Sequence, residues 1–551
     1  MRILFLLPGL VGAALASLPV SFTAREKAAS RVITKESLAA HVRFLADDLL
    51  EGRAPASRGS DLAMKYIASQ YERIGLKPAG DDGGYLQHFD IVGMTSEVEK
   101  PITLTAGTKT LTLEAGVESV VASGIQAEAA SLRDAEIVFV GYGITAPEQT
   151  WDDFKDVDVR GKVLLVMNND PEDDPNLFAG KTRLYYGRWD YKYAEAARHG
   201  AAGVIIIHTE PSAGYPWHVV QSSWGGQSFE LPAGSEPRVT LKMWATEDAS
   251  RRLVSLGGRD LDELRRSAEK RDFRPVTLGI KLSAALKTKL QRVRTANVLG
   301  LIPGSDAKLE GEMVVVSAHH DHLGIRPAEK GDNIYNGAHD NASGVAAILD
   351  IAEAVAQVSP RPRRSILFAA VAAEESGLLG SQYFCEHPIV PPGRIAANLN
   401  VDGINIWGPA SDIAFIGLGK SSLDEVVKAV AREQGRVVTG DSRPEKGSFY
   451  RSDQFNFARI GVPAMYLKEG VQHAGHDAAW GRELHEKFVK ERYHQPSDQI
   501  DETWNLDGAV TDVQLMAVAL MRVADAAKMP EWRKGDEFEA ARKKALAEPP
   551  R

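Results

Sequence analysis

From Thr295 onward the chain alternates continuous apolar stretches with amphipathic ones, and that alternation restricts the fold more than any other feature. "EMVVVSAHH" (312–320), "RSILFAAVAAEE" (364–375), "IAANLNVDGINI" (395–406), "IAFIGLG" (413–419) and "VPAMYL" (462–467) read as strands. Between and after them, "GVAAILDIAEAVAQV" (344–358), "GLLGSQYFCEH" (377–387), "SLDEVVKAVAREQG" (422–435) and "TDVQLMAVALMRVADAA" (511–527) carry helical periodicity. Strands that are apolar on both sides need cover on both faces. The expectation is an α/β fold: a mostly parallel, mixed sheet with helices on both faces. In such sheets ligands bind beyond the carboxyl ends of the strands.

Those ends are where acids and imidazoles collect. His319, His320, Asp321 and His322 follow the first strand, and Asp340 in "AHDNASG" precedes the first helix. Glu374 and Glu375 follow the second strand, Asp402 the third, and Tyr493 and His494 stand in the later "ERYHQPSDQ". Singly, each has an ordinary explanation: a hydrogen-bonded loop histidine, a solvated turn, a helix N-cap. Together, charged groups abutting four buried strands are costly unless paired or metal-bound. Imidazole and carboxylate groups without thiolates suit a hydrolytic zinc centre. The charge balance favours two metals: three carboxylates and two neutral imidazoles against two divalent cations, with a hydroxide making up the difference.

The rest of the chain reads as further modules. At 551 residues it is too long for one core. "ESLAAHVRFLADDLLEGRAPASRGSDLAMKYIASQYERIG" (36–75) is helical twice over, broken by a Gly/Pro/Ser loop, and "ITLTAGTKTLTLEAG" (102–116) is β-like. "EIVFVGYGITAPEQ" (136–149), "GKVLLVMNND" (161–170) and "AAGVIIIHT" (201–209), with the helix "YKYAEAARHG" (191–200), make a smaller α/β unit. A net charge of −9 leaves no electrostatic footprint for nucleic acid. The single cysteine, Cys385, permits neither an internal disulfide nor a cysteine-based zinc site. "MRILFLLPGLVGAALASLPVSF" has the basic start, apolar run and Ala-x-Ala site of a cleaved leader, so export to the periplasm or medium is expected, with no stable membrane insertion afterwards. The expected division is a leader over 1–22, the N-terminal part of the main domain over 23–95, an insertion over 96–290, the main domain over 291–530, and a charged tail over 531–551, frayed or disordered.

"SAHHDHLG", "NGAHDNASG", "AAEESGLLGS", "NLNVDG" and "RYHQPSD" occur in the order and contexts of the family 28 zinc metallopeptidases, and the chain resembles that family over nearly all its length after the leader. Carried over position by position, the resemblance implies two Zn2+ per chain. His319 and Asp402 would hold one, Glu375 and His494 the other, with Asp340 bridging. Glu374 would be the general base acting on a metal-bridging hydroxide, Asp321 the carboxylate orienting His319, and Tyr493 a donor to the oxyanion. His320, His322 and His339 have no ligand role in that pattern and read as polar wall residues. The insertion resembles a protease-associated domain. Relatives often carry histidine where this chain has Gln454, in the pocket segment "FYRSDQFNFARIGVPAMYL" (449–467). The implied activity is removal of N-terminal residues from peptides. The alternatives are a carboxypeptidase of the same family, a single-zinc glutaminyl cyclase of related fold, and a receptor-like binding protein without catalysis.

Overall fold

The structure is a computed structural model that describes residues 21–224, 226–326 and 331–548. The expected leader falls almost wholly outside these residues. Among the described residues, no helix is long and apolar enough to cross a membrane.

Thirteen strands define the frame. The first six are β1 (Leu86–Ala106), β2 (Ser119–Ser123), β3 (Ala129–Phe139), β4 (Val163–Met167), β5 (Gly203–His208) and β6 (Leu241–Thr246). The others are β7 (Val276–Ile302), β8 (Met313–His319), β9 (Ser365–Val371), β10 (Ile395–Asn400), β11 (Asp412–Ile416), β12 (Val437–Thr439) and β13 (Ala464–Glu469). The sheet runs β12-β11-β13-β10-β8-β9-β7 and continues β3-β4-β5-β6-β2. β9, β8, β10 and β13 are parallel neighbours, and β11 and β7 pair antiparallel at either side of them. The mixed, mostly parallel sheet expected from the apolar runs is therefore present. All seven residues of β8 and of β9 are buried, as strands covered on both faces must be.

The principal helices are α1 (Lys35–Leu45), α2 (Arg58–Ile74), α3 (Trp217–Trp224), α4 (Ser343–Ala356), α5 (Leu379–Glu386), α6 (Leu423–Glu433), α7 (Ala478–Glu491), α8 (Asp507–Asp525) and α9 (Glu539–Ala547). Thr34 and Ser57 cap α1 and α2 by accepting from Ser37 N and Ser60 N, and Gly75 in the left-handed region ends α2. α1, α2, α4 and α8 bury their apolar faces in one core with β7, β8, β9 and β10.

The insertion's own core lies across β3, β4, β5 and β6 and includes Leu278, Ile280, Leu282 and Leu286 of β7. Ala296, Val298 and Ile302 of the same strand belong to the main core. β1 pairs antiparallel with β7 from Leu86–Val298 to Thr105–Lys281, a long ribbon joining the two bodies. The boundaries expected at 95/96 and 290/291 thus fall inside continuous strands, between the stretches that feed each core.

The tail differs from expectation. Trp532 and Phe538 are buried against Phe449 and Phe455, α9 follows them, and Lys420 reaches Asp536 and Glu537 at 3.0 and 2.9 Å. Two aromatics in a charged segment, each worth roughly 2–3 kcal/mol when buried, offset the cost of ordering it.

Candidate metal centre

Each expected ligand hangs from the carboxyl end of a central strand or from the loop facing it. His319 is the last residue of β8, Glu374 and Glu375 follow β9, and Asp402 follows β10. Asp340 lies in the irregular turn into α4, and His494 follows α7. Ala373 and His494 have φ of 56°, left-handed backbone outside glycine of the kind that collects at functional sites.

The structure brings these side chains together around Asp340. His319 Nε2 lies 3.2 Å from Asp340 Oδ1 and 3.6 Å from Asp402 Oδ1. His494 Nε2 lies 3.3 Å from Asp340 Oδ2 and 3.1 Å from Glu375 Oε2. Each imidazole thus faces a different oxygen of one carboxylate, and neither Nε2 has a hydrogen-bond partner although both are buried. Two ligands bonded at about 2.1 Å to a tetrahedral zinc stand about 3.4 Å apart, inside the range of 3.1 to 3.6 Å found here. Orphaned imidazole nitrogens facing carboxylate oxygens at that distance fit a pair of cations bridged by Asp340. Burial opposes ionisation of Asp340, but His319 and His494 hold its carboxyl well below the usual range.

Glu374 sits beside this cluster, within 4.8 Å of ligand atoms of His319 and Asp402. Burial pushes its carboxyl well above the ordinary range; His319 opposes, and Glu375 and Asp402 reinforce the rise. Burial, with Asp340 nearby, also keeps the Tyr493 hydroxyl protonated, hence able to donate.

Asp321 lies beside His319 and also holds the turn that follows β9. Its backbone oxygen is 3.2 Å from His319 Nδ1, while its carboxylate is 3.8 Å away. The carboxylate accepts Glu374 N–H and Glu375 N–H at 3.0 and 3.4 Å, fixing the turn that carries both glutamates.

Four supporting residues were missed by sequence reasoning. Asp498 accepts the N–H groups of His339 and Asp340 at 3.0 and 3.1 Å, pinning the Asp340 turn. Arg53 is buried and donates to the carbonyls of His320, Asn336 and Gly337 at 2.9, 2.6 and 2.9 Å. His322 is more than a wall residue: its Nδ1 lies 2.6 Å from Glu375 Oε1, leaving Oε2 to face His494. Ser223 Oγ of α3 lies 3.2 Å from His494 Nδ1, so the insertion touches the centre. By contrast His320 Nε2 turns away to Ala296 O, and His339 packs on Phe488. Gln454 joins a buried amide network, accepting from Asn400 Nδ2 at 2.8 Å and donating to Phe449 O at 2.8 Å.

Two cavities of about 180 Å³ each meet at Glu374 and Tyr493. One reaches His339, Asp340 and Asp402; the other reaches Glu375 and His494. Both are lined by Tyr215 of the insertion and by Arg451, whose guanidinium stacks 5.0 Å from the Tyr215 ring.

Residues 297–518 match peptidase family M28. Among curated proteins it is similar to aminopeptidase NAALADL1 of Rattus norvegicus, 26% identical over 40% of this chain and 34% of that protein. It is also similar to aminopeptidase YwaD of Bacillus subtilis, 28% identical over 40% of this chain and 43% of that protein. The matches thus span less than half the length of these relatives. Among solved structures, an aminopeptidase from Aneurinibacillus sp. strain AM-1 shares the fold at a TM-score of 0.54, with 18% identity over 92% of this chain and 97% of that one. The M28 segment begins within β7 and takes in the expected ligands; the insertion lies outside it.

Proposed function

We propose that the chain is a co-catalytic di-zinc exopeptidase, and specifically an aminopeptidase that removes N-terminal residues from peptides. The carrying observation is Asp340, which turns one oxygen to His319 Nε2 and the other to His494 Nε2. His319 and Asp402 would hold one zinc, Glu375 and His494 the other, and Asp340 would serve both. When bound, the two ions would acidify a water and polarise the scissile carbonyl. Glu374, buried beside that cluster, takes the proton from the attacking water and delivers it to the leaving amine. Tyr493 O–H donates to the oxygen on which negative charge develops. Asp321 acts on these groups through the backbone of residues 374 and 375. The insertion over 96–290 serves as a protease-associated module that walls the substrate cavity through Tyr215.

The test is Glu374→Gln in the full chain. Turnover of aminoacyl substrates should fall by at least about a thousandfold while elemental analysis still finds two zinc per chain. Normal turnover by that variant, or wild-type protein that binds no zinc and hydrolyses nothing, would overturn the reading. Peptides blocked at one end separate the two exopeptidase directions: an aminopeptidase spares the N-blocked set, and a carboxypeptidase spares the C-blocked set.

A further inference from the structure

Beside the candidate metal centre, two bodies of the molecule bring cations together without a direct ion pair to any of them. Arg183 of the insertion and Lys446 and Arg451 of the main domain line the cavity that reaches Glu375 and His494. Lys446 and Arg451 also line the cavity that reaches Asp340 and Asp402, where Arg443 joins them. Among the described residues, none of the four makes an ion pair.

Arg183 is 5% exposed, yet its Nη2 has no hydrogen-bond partner. Its Nε donates to Asn169 Oδ1 at 2.7 Å, and its backbone N–H donates to Pro444 O at 3.0 Å. Two glycines make room for its stem. A Cβ on Gly187 would stand 2.6 Å from Arg183 Cγ, and one on Gly447 would stand 2.9 Å from Arg183 Cδ. Lys446 packs against Gly214 in the same way. The nearby acids are committed elsewhere: Glu230 pairs with Arg238 and Lys242, Glu469 with His485, and Asp170 accepts Leu184 N–H.

Burial pushes the Arg183 guanidinium down to about 10, with Asp170 opposing and Arg451 adding repulsion, and burial followed by repulsion from Arg443 and Arg451 lowers Lys446. A protein that buries like charges side by side carries a desolvation cost that an anionic ligand offsets. A planar fork beside a second cation suits a carboxylate.

We propose that Arg183, Lys446 and Arg451 form a carboxylate-binding subsite, and that the preferred substrates are short peptides bearing a carboxylate close to the scissile bond. This inference rests on the exopeptidase reading above. The carboxylate has two sources, the free terminus of a di- or tripeptide or an acidic side chain next to the cleaved bond, and paired substrates tell them apart.

The experiment measures kcat/KM of the zinc-loaded full chain on Leu-Ala against Leu-Ala-amide, and on Leu-Glu-amide against Leu-Gln-amide. The carboxylate member of at least one pair should be hydrolysed about tenfold better or more, as loss of a charged hydrogen bond implies. The first pair reports the terminus and the second the side chain. In Arg183→Gln and Arg451→Gln that ratio should fall towards one, and Arg451→Lys should keep part of it. The wild-type comparison stands even if a variant fails to fold. Turnover of all four substrates with equal kcat/KM inside both pairs would overturn the subsite and leave the exopeptidase reading intact. Turnover of none of them, nor of any N- or C-blocked peptide, would overturn both.

Discussion

The histidines around β8 divide the work by which nitrogen each one offers, and to what. His319 turns Nε2 to two carboxylates, His320 turns away, and His322 turns Nδ1 to Glu375. If His494 Nε2 ligates a metal, its Nδ1 carries the proton and donates to Ser223 Oγ, which sets the ring plane. Groups that orient ligands in this way are worth roughly 10–100-fold in metal affinity. Ser223→Ala and His322→Ala should therefore each weaken the tighter of two measurable zinc affinities, or both, by about tenfold or more in a competitive chelator titration. Unchanged affinities in both variants would remove these side chains from the support of the centre. His319 and His494 were legible because strand ends and motif order marked them. Ser223 was not, since 271 residues separate it from His494 and nothing about a serine in "QSSWGG" distinguishes it from a helix-end serine.

Elements hold the two glutamates through backbone contacts with little slack. α5 begins where Gly380 N–H donates to Ala372 O at 2.8 Å and Asn297 Nδ2 donates to Gly380 O at 2.9 Å. A Cβ on Gly380 would lie 2.3 Å from Ala372 O and 2.5 Å from Asn297 Oδ1. Gly380→Ala should thus cost about 1–3 kcal/mol of stability and also lower kcat at saturating zinc, because the displaced backbone carries Glu374. A thermal melt and a zinc-saturated assay check both; an unshifted melt would show that the turn has room. The α1–α4 contact has a pH signature of its own. Asp350 accepts from Ser37 Oγ at 2.6 Å, while its other oxygen is buried without a partner. Burial pushes its carboxyl up to about 7, with Ser37 opposing and Glu353 adding to the rise. The folded state therefore keeps the proton to higher pH than the unfolded chain, whose carboxyl titrates near about 4. The stability from this group is complete below that value and is lost as pH rises through 7. Asp350→Asn should unfold close to wild type at pH 4.5 and at distinctly higher denaturant at pH 8; equal differences at both pH values would reject the assignment. The apolar runs announced α4 and its neighbours, but a lone aspartate inside "AILDIAEAV" gives no hint that it faces Ser37 across 313 residues.

At the scale of the whole molecule, two cores share one sheet, and the insertion meets the main domain beside the candidate metal centre. The alternation of strands and helices identified each body, and the charged tail hid two aromatic anchors, Trp532 and Phe538, that only tertiary packing reveals. The sequence divided the bodies near 95 and 290, where β1 and β7 run on without interruption, because a ribbon crossing between two cores has no turn residues to mark it. That ribbon leaves the insertion's placement over the cavity to side-chain contacts. Arg188 Nη1 donates to Tyr450 O at 2.6 Å across the interface, next to the Arg183–Pro444 backbone bond and the Tyr215–Arg451 stack. A buried, charge-assisted hydrogen bond contributes about 1.5–3 kcal/mol. Arg188 bonds to Asp190 and Tyr450 O and to none of the expected metal ligands, so its removal should loosen the wall of the cavity and leave the centre itself assembled. Arg188→Ala should accordingly lower kcat/KM by about ten- to a hundredfold, mostly through KM, with two zinc still bound. Steady-state kinetics beside elemental analysis tests this. Unchanged kcat/KM would mean that the insertion can move off the cavity without consequence for the substrate, and loss of zinc would mean that it braces the metals as well as the wall.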